Sequence, residues 1–257
     1  MNKLATLGRY FFALGVMATG CQQLITAEFV RLVPTLPPWL PWPTFWAYAV
    51  GAALVILGSA ILLGRRAPLA AAGLAAMMFL YFLLQRVPEI ASNPWAGFMW
   101  TNPSKIMALC GGAILIAGTP FRDDPTELAW ARKLRPLGPV LMAVFLTICG
   151  IQHFVYADFV TTLVPPWMPA LRFWTYFTGT ALIAGGLGML VPRTRTWAAS
   201  LSGLMIFMWV WMLHIPRTVA LRSAFEMAGV SEALALSGVA LLVAGLDPQR
   251  ATPGRGD

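Results

Sequence analysis

Apolar residues along the chain gather into eight blocks, at residues 7–25, 44–64, 68–85, 104–120, 137–155, 172–191, 197–215 and 231–246, parted by short polar or Pro-rich turns. Each block is close to the ~20 residues that carry a helix across the hydrocarbon core of a bilayer. The pattern predicts an all-α integral membrane protein with about eight transmembrane helices. Several blocks are short and rich in Gly and Ala, which suits close helix packing in lipid.

The blocks repeat. GCQQLITAEFV at 20–30 returns as GIQHFVYADFV at 150–160, and PPWLP at 37–41 returns as PPWMP at 165–169. Phe45, Trp46 and Tyr48 align with Phe173, Trp174 and Tyr176, and Arg86-Val-Pro88 aligns with His214-Ile-Pro216. SKIMALCGGAILIAG at 104–118 aligns with SEALALSGVALLVAG at 231–245. Self-similarity on this scale points to a duplicated unit. The expected organisation is a four-helix repeat over 1–121, a charged linker at 122–136, a second repeat over 137–247 and a tail at 248–257. An even number of spans per unit starts both units from the same side, giving two parallel four-helix bundle repeats related by an axis along the membrane normal.

Composition sharpens this picture. Hydrophobic residues make up 58% and charged residues 11% of the chain, too little charge to cover a soluble domain. The net charge of +8 comes from basic residues scattered in turns, with no run that would suit nucleic acid. Lys3, Arg9, Arg65, Arg66, Arg122, Arg132, Lys133, Arg135, Arg193, Arg195, Arg250 and Arg255 fall on one side, and Arg31, Arg86, Lys105, Arg172, Arg217 and Arg222 on the other. The excess of positive charge places both termini in the cytoplasm. Nine of the tryptophans, Trp39, Trp42, Trp46, Trp95, Trp100, Trp167, Trp174, Trp209 and Trp211, fall toward the outer side, so that end is the elaborated one. Cys21, Cys110 and Cys149 lie in apolar segments without a CxxC pair and read as packing residues. The basic start followed by ATGC at 18–21 imitates a lipidated signal peptide. Recurrence of the same segment in mid-chain argues against cleavage there.

Polar residues at the outer helix ends are the candidates for chemistry, because such groups at membrane depth face the bundle interior or the interface. In the second repeat they are Gln152, His153, Asp158, His214 and Arg217; the aligned set in the first is Gln22, Gln23, Glu28, Arg86 and Glu89. Helical spacing puts Cys149, His153 and Tyr156 on one face, and Phe207, Trp211 and His214 on another. Two imidazoles at one depth can exchange protons with a quinone or ligate a haem or metal, or can simply hydrogen-bond at the interface. Only the second repeat carries the pair, which sets haem ligation behind proton exchange. No metal site is expected. The prolines of the two PPW loops stiffen them, as interfacial caps or as lids over a pocket. No GxSxG, HExxH, Walker or dinucleotide-binding fingerprint occurs in a fitting context. Asp123 and Asp124 read as a solvated acidic turn.

The run GIQHFVYADFV…LVPPWMP…FWTYFTG…LIAGGLGML in the second repeat resembles the DoxX-like family of small bacterial four-helix membrane proteins. FVRLVPTLPPWLPWPTFWAY in the first resembles it more loosely. The resemblance implies a four-helix bundle per unit, a bacterial inner-membrane location and association with membrane oxidoreductase systems, including quinone-linked ones. It carries no catalytic residue set. The functional expectation is a redox or quinone-linked membrane component, with an oxidoreductase subunit as its enzymatic form, that binds a hydrophobic small molecule near the outer leaflet and meets a membrane or periplasmic redox partner. The alternatives are a non-catalytic scaffold and a lipid or small-molecule carrier. Reporter fusions after Arg66, Arg132 and Arg195 should all report cytoplasm, and fusions near Trp95, Trp167 and Arg222 the opposite side. A cytoplasmic signal from the PPW loops contradicts the orientation.

Overall fold

The computed structural model describes residues 3–29, 41–95 and 97–246. Their long elements are all helices: α1 (Lys3–Thr26), α2 (Pro43–Leu63), α3 (Ala67–Tyr81), α4 (Val87–Ser92), α5 (Thr101–Ala117), α6 (Ala129–Leu134), α7 (Leu137–Val155), α8 (Ala157–Thr161), α9 (Leu171–Leu190), α10 (Pro192–Trp209), α11 (Ile215–Leu221) and α12 (Ala224–Gly245). Residues 37–40 of the first PPW loop, with Trp39, lie outside the described residues, as do Arg31 and the tail at 248–257 with Arg250 and Arg255.

Six helical stretches are long and apolar enough to cross a membrane: Lys3–Thr26, Pro43–Leu63, Ala67–Ser92, Leu137–Val155, Pro192–Leu221 and Ala224–Gly245. The other two blocks are also helical. However, α5 has only 17 residues, and α9 dilutes its apolar positions with Thr175, Thr178, Thr180 and several glycines. The chain is thus a multi-pass, all-helical protein among the described residues.

Two of the spans carry a proline near one end. Pro88 and Pro216 have no N–H to donate and their rings crowd the preceding turn. Just before each, the backbone widens into a π turn, at Phe82–Arg86 and at Val210–His214. A second pair of aligned positions shares an unusual backbone. Trp42 and Ala170, which precede α2 and α9, both take left-handed dihedrals, with φ of 59° and 54°.

Within each half the helices pack in chain order, α1 on α2, α2 on α3, α3 on α5, and α7 on α9, α9 on α10, α10 on α12. The halves then close on each other. α1 runs along α12, α5 runs along α7, and α5 meets α12. Each half's first helix is thus covered by the other half's last. Small residues are the cause. A Cβ on Gly238 would stand 2.4 Å from the Phe12 backbone N, so α1 and α12 touch backbone to backbone, as small-residue interfaces in lipid do. Thr19 Oγ1 donates to Ser231 Oγ at 3.0 Å across the same seam. In α12, 83% of the most apolar window lies inside the protein, against 28% in α2. α12 is therefore a central helix and α2 a peripheral one.

The linker is stitched to the core, which corrects the reading of its aspartates as a solvated turn. Arg9, 1% exposed, donates through both terminal nitrogens to Asp123 at 2.7 and 2.5 Å and lies 4.7 Å from the centre of the Phe121 ring. A guanidinium so deeply buried needs a counter-charge. Asp124, itself buried, accepts from the Ala67 backbone N–H at 2.9 Å and so caps α3. Gly64, at φ 67°, makes room, since a Cβ there would fall 2.1 Å from Asp123 Oδ2.

Hydrogen bonds from Arg9 hold the Asp123 carboxyl below the usual carboxylate range. A depressed folded-state pKa stabilises the fold above the unfolded value of about 3.9, and the gain is lost as pH falls through the folded value. Asp123→Asn should lower the melting temperature at pH 7 and reduce its fall on acidification below about pH 4. Equal acid sensitivity in mutant and parent would remove Asp123 from that role.

Candidate functional site: a polar cavity between the halves

The cavity of interest opens toward the end of the molecule opposite the linker. It has a volume of about 170 Å³ and is lined from α5 by Thr101 and Lys105, from α7 by Phe145, Leu146, Cys149 and His153, from α9 by Leu182, from α10 and its π turn by Ile206, Trp209 and His214, and from α12 by Gly229, Glu232, Ala233 and Leu236. Cys149, His153 and His214, three of the residues singled out from the sequence, all line it.

Its floor is an ion pair that sequence reasoning did not single out. Lys105 Nζ donates to Glu232 Oε2 at 2.5 Å, and the two residues are 8% and 4% exposed. Glu232 lies eight residues into α12, about 12 Å along the helix. Its other oxygen, Oε1, is buried with no hydrogen-bond partner among the described residues. Lys105 and Glu232 also occupy aligned positions in SKIMAL and SEALAL. The signal was therefore legible: opposite charges at the same place in two otherwise apolar segments. Asn102 Oδ1 stands 3.5 Å from Lys105 Nζ.

The histidines reach the cavity by different means. His153 is in the last turn of α7, and its Nδ1 lies 2.7 Å from the Cys149 carbonyl oxygen. A carbonyl can only accept, so Nδ1 carries the proton and Nε2 is the acceptor of the neutral ring. Gly179 lets α9 approach this turn, because a Cβ there would come within 2.7 Å of His153 Cβ. His214 ends the π turn. Opposite it, a Cβ on Gly229 would fall 2.6 Å from His214 Nδ1.

The other expected residues sit elsewhere. α7 stops at Val155, and Tyr156 leaves helical geometry at φ −113°, ψ 37°, so it does not continue the Cys149–His153 face. Its hydroxyl packs instead at Gly97. Gln152 ties the halves together, accepting from Thr101 Oγ1 and donating to the Gly97 carbonyl, both at 2.7 Å. The π turn breaks the register of Phe207, Trp211 and His214. Trp211 is 59% exposed and Phe207 stacks on Phe11 at 5.0 Å, while Trp209 joins His214 in the cavity. Asp158 pairs with Arg172 at 2.7 Å on the surface, where such pairs contribute little. Arg217 forks onto Glu226 at 2.8 and 3.1 Å. The second PPW loop contributes nothing to the lining.

The aligned residues of the first half are used as ties. Gln22 donates to the Ala224 carbonyl at 2.5 Å and Gln23 to the Ala47 carbonyl at 2.8 Å. Arg86, at the place of His214, is buried and bonded to Glu89 and to the Tyr81 hydroxyl. Glu28 is exposed. Asn102 stands where the second half has Gly229, so the pair lining this cavity, His214 and Gly229, is smaller than its aligned counterpart, Arg86 and Asn102.

Removing one partner of a buried ion pair strands the other charge and costs about 3–5 kcal/mol, whereas replacing both with apolar residues is often tolerated. Lys105→Met and Glu232→Met should each lower the melting temperature and the yield in detergent sharply, and the double substitution should recover most of the loss. A double variant as damaged as the two singles combined would deny the coupling.

Comparison with known families supports the membrane reading. Residues 4–85 match the DoxX family, and residues 142–244 match a domain of unknown function, DUF8561. The DoxX match falls on the first half, although the segments of closer resemblance were read in the second. No curated protein and no solved structure matches the chain. Six apolar helices of spanning length mark the chain as a multi-pass membrane protein, and its residues 4–85 are similar to the DoxX family.

Proposed function

We propose that this protein is an inner-membrane component of a redox or quinone-linked system, and that its cavity takes the ring-sized head group of a hydrophobic, proton-exchanging molecule such as a quinone. The observation that carries the reading is the convergence of two imidazoles and a buried Lys–Glu pair on one small cavity. An apolar cavity of about 150 Å³ accepts one benzene, so 170 Å³ suits a single substituted ring. A quinone carbonyl accepts hydrogen bonds, which the Lys105 ammonium can donate. A quinol hydroxyl donates one, which His153 Nε2 can accept and, on oxidation, take as a proton. The electrons pass to or from a membrane or periplasmic partner protein.

The same reading includes eight spans in two parallel repeats with both termini in the cytoplasm. It is supported by the aligned π turns, the aligned left-handed positions before α2 and α9, and the bias of basic residues. A scaffold or carrier role is the competing account. It is favoured by exposed tryptophans at the loop end, Trp95 at 93% and Trp167 at 67%, which suit an interface or a docking face.

Gln keeps a donor and an acceptor but does not titrate near neutral pH. His153→Gln and His214→Gln should therefore insert and melt close to the parent, yet lose quinone-linked turnover by tenfold or more, about 1.4 kcal/mol in barrier. Full turnover in the double variant would end the case for histidine chemistry and favour scaffolding or transport.

A further inference from the structure

A second cavity lies at the opposite end, beside the linker, and nothing in the redox reading uses it. It encloses about 310 Å³, and its walls include Arg132 and Arg135 from α6 and its C-terminal edge, Arg195 from the first turn of α10, and the apolar side chains of Leu115, Pro139 and Val243. Three arginines from two separate parts of the chain thus line a pocket whose other side chains are apolar. Arg132 is answered by Glu127 at 2.8 Å. Arg135 and Arg195 make no ion pair among the described residues; Arg195 Nε donates to the Met189 carbonyl at 2.9 Å and Arg135 Nη2 reaches the Leu246 carbonyl at 3.5 Å. Those backbone bonds aim the side chains and leave most of their N–H donors for an anion. Planar guanidiniums bind phosphate through paired N–H groups.

We infer that this cavity binds the phosphate head group of an anionic phospholipid, with the start of an acyl chain against Leu115 and Val243. Basic pockets between transmembrane helices bind anionic head groups on this principle. The apolar wall decides between lipid and free phosphate, because an inorganic ion would leave that wall empty. The helices concerned, α5 and α12 among them, are the central ones. A lipid here would bridge the two halves at the linker end, as Lys105–Glu232 does at the other.

The test is native mass spectrometry on the full chain after exchange from mixed micelles of phosphatidylglycerol and phosphatidylcholine with identical acyl chains. One phosphatidylglycerol per chain should be retained, at least tenfold over phosphatidylcholine. Arg135→Gln with Arg195→Gln should abolish that preference. Arg65→Gln with Arg122→Gln, which removes the same charge from exposed positions at the same end, should leave it intact. If the first double variant does not fold, Arg135→Lys with Arg195→Lys keeps the charge without the planar fork, and should retain the lipid at reduced preference. Equal retention of both lipids by the parent protein, or equal loss in the control variant, overturns the inference. Displacement of phosphatidylglycerol by millimolar inorganic phosphate, with the same rise in melting temperature, overturns it in favour of a phosphate site.

Discussion

The Lys105–Glu232 pair is the constraint around which the rest of the molecule is arranged. Each charge alone would cost several kcal/mol at this depth, so neither residue can sit in its helix unless the other is beside it. One belongs to the last helix of the first half and the other to the last helix of the second. The halves cannot slide or part without stranding a charge. The pair joins α5 to α12, the two most buried helices, while small residues let α1 pack closely along α12. Lys105 and Glu232 together supply charged groups to the cavity lining.

Proline and glycine shape the walls. Pro216 forces a π turn that swings His214 inward and Trp211 outward, and Gly229 clears the volume the imidazole needs. The first half has the same proline and the same π turn, but Arg86 and Asn102 stand in place of His214 and Gly229. There Arg86 is held by Glu89 and the Tyr81 hydroxyl. One backbone plan thus carries a buried arginine network in the first half and a cavity-lining histidine in the second.

Much of this was legible in the sequence and some was not, for separable reasons. The helical blocks follow from apolar length, and α7 matches its expected bounds because Pro136 and the polar end at Tyr156 frame it clearly. Cys149 and His153 meet because four residues make one helical turn. Tyr156 and Trp211 were misplaced because spacing arguments assume an unbroken α-helix, and one lies past the helix end while the other lies inside a π turn. Lys105 and Glu232 were missed because a single charge in an apolar block looks like an end of a span until its aligned counterpart is seen with opposite sign. The crossing of the two halves could not be read from pattern, since helix order says nothing about which helix covers which.

The central claim is that the chamber above Lys105–Glu232, and not the lipid-facing surface, is where a quinone-like ring binds. The most direct measurement is photolabelling of the purified full-length protein with a photoreactive quinone, followed by peptide mapping. Labels should fall on Phe145, Cys149, Trp209 or Leu236, and should be lost by competition with an unreactive quinone and in His214→Gln. Labelling confined to outward residues such as Phe177 or Leu201, undiminished by competitor, would contradict the account.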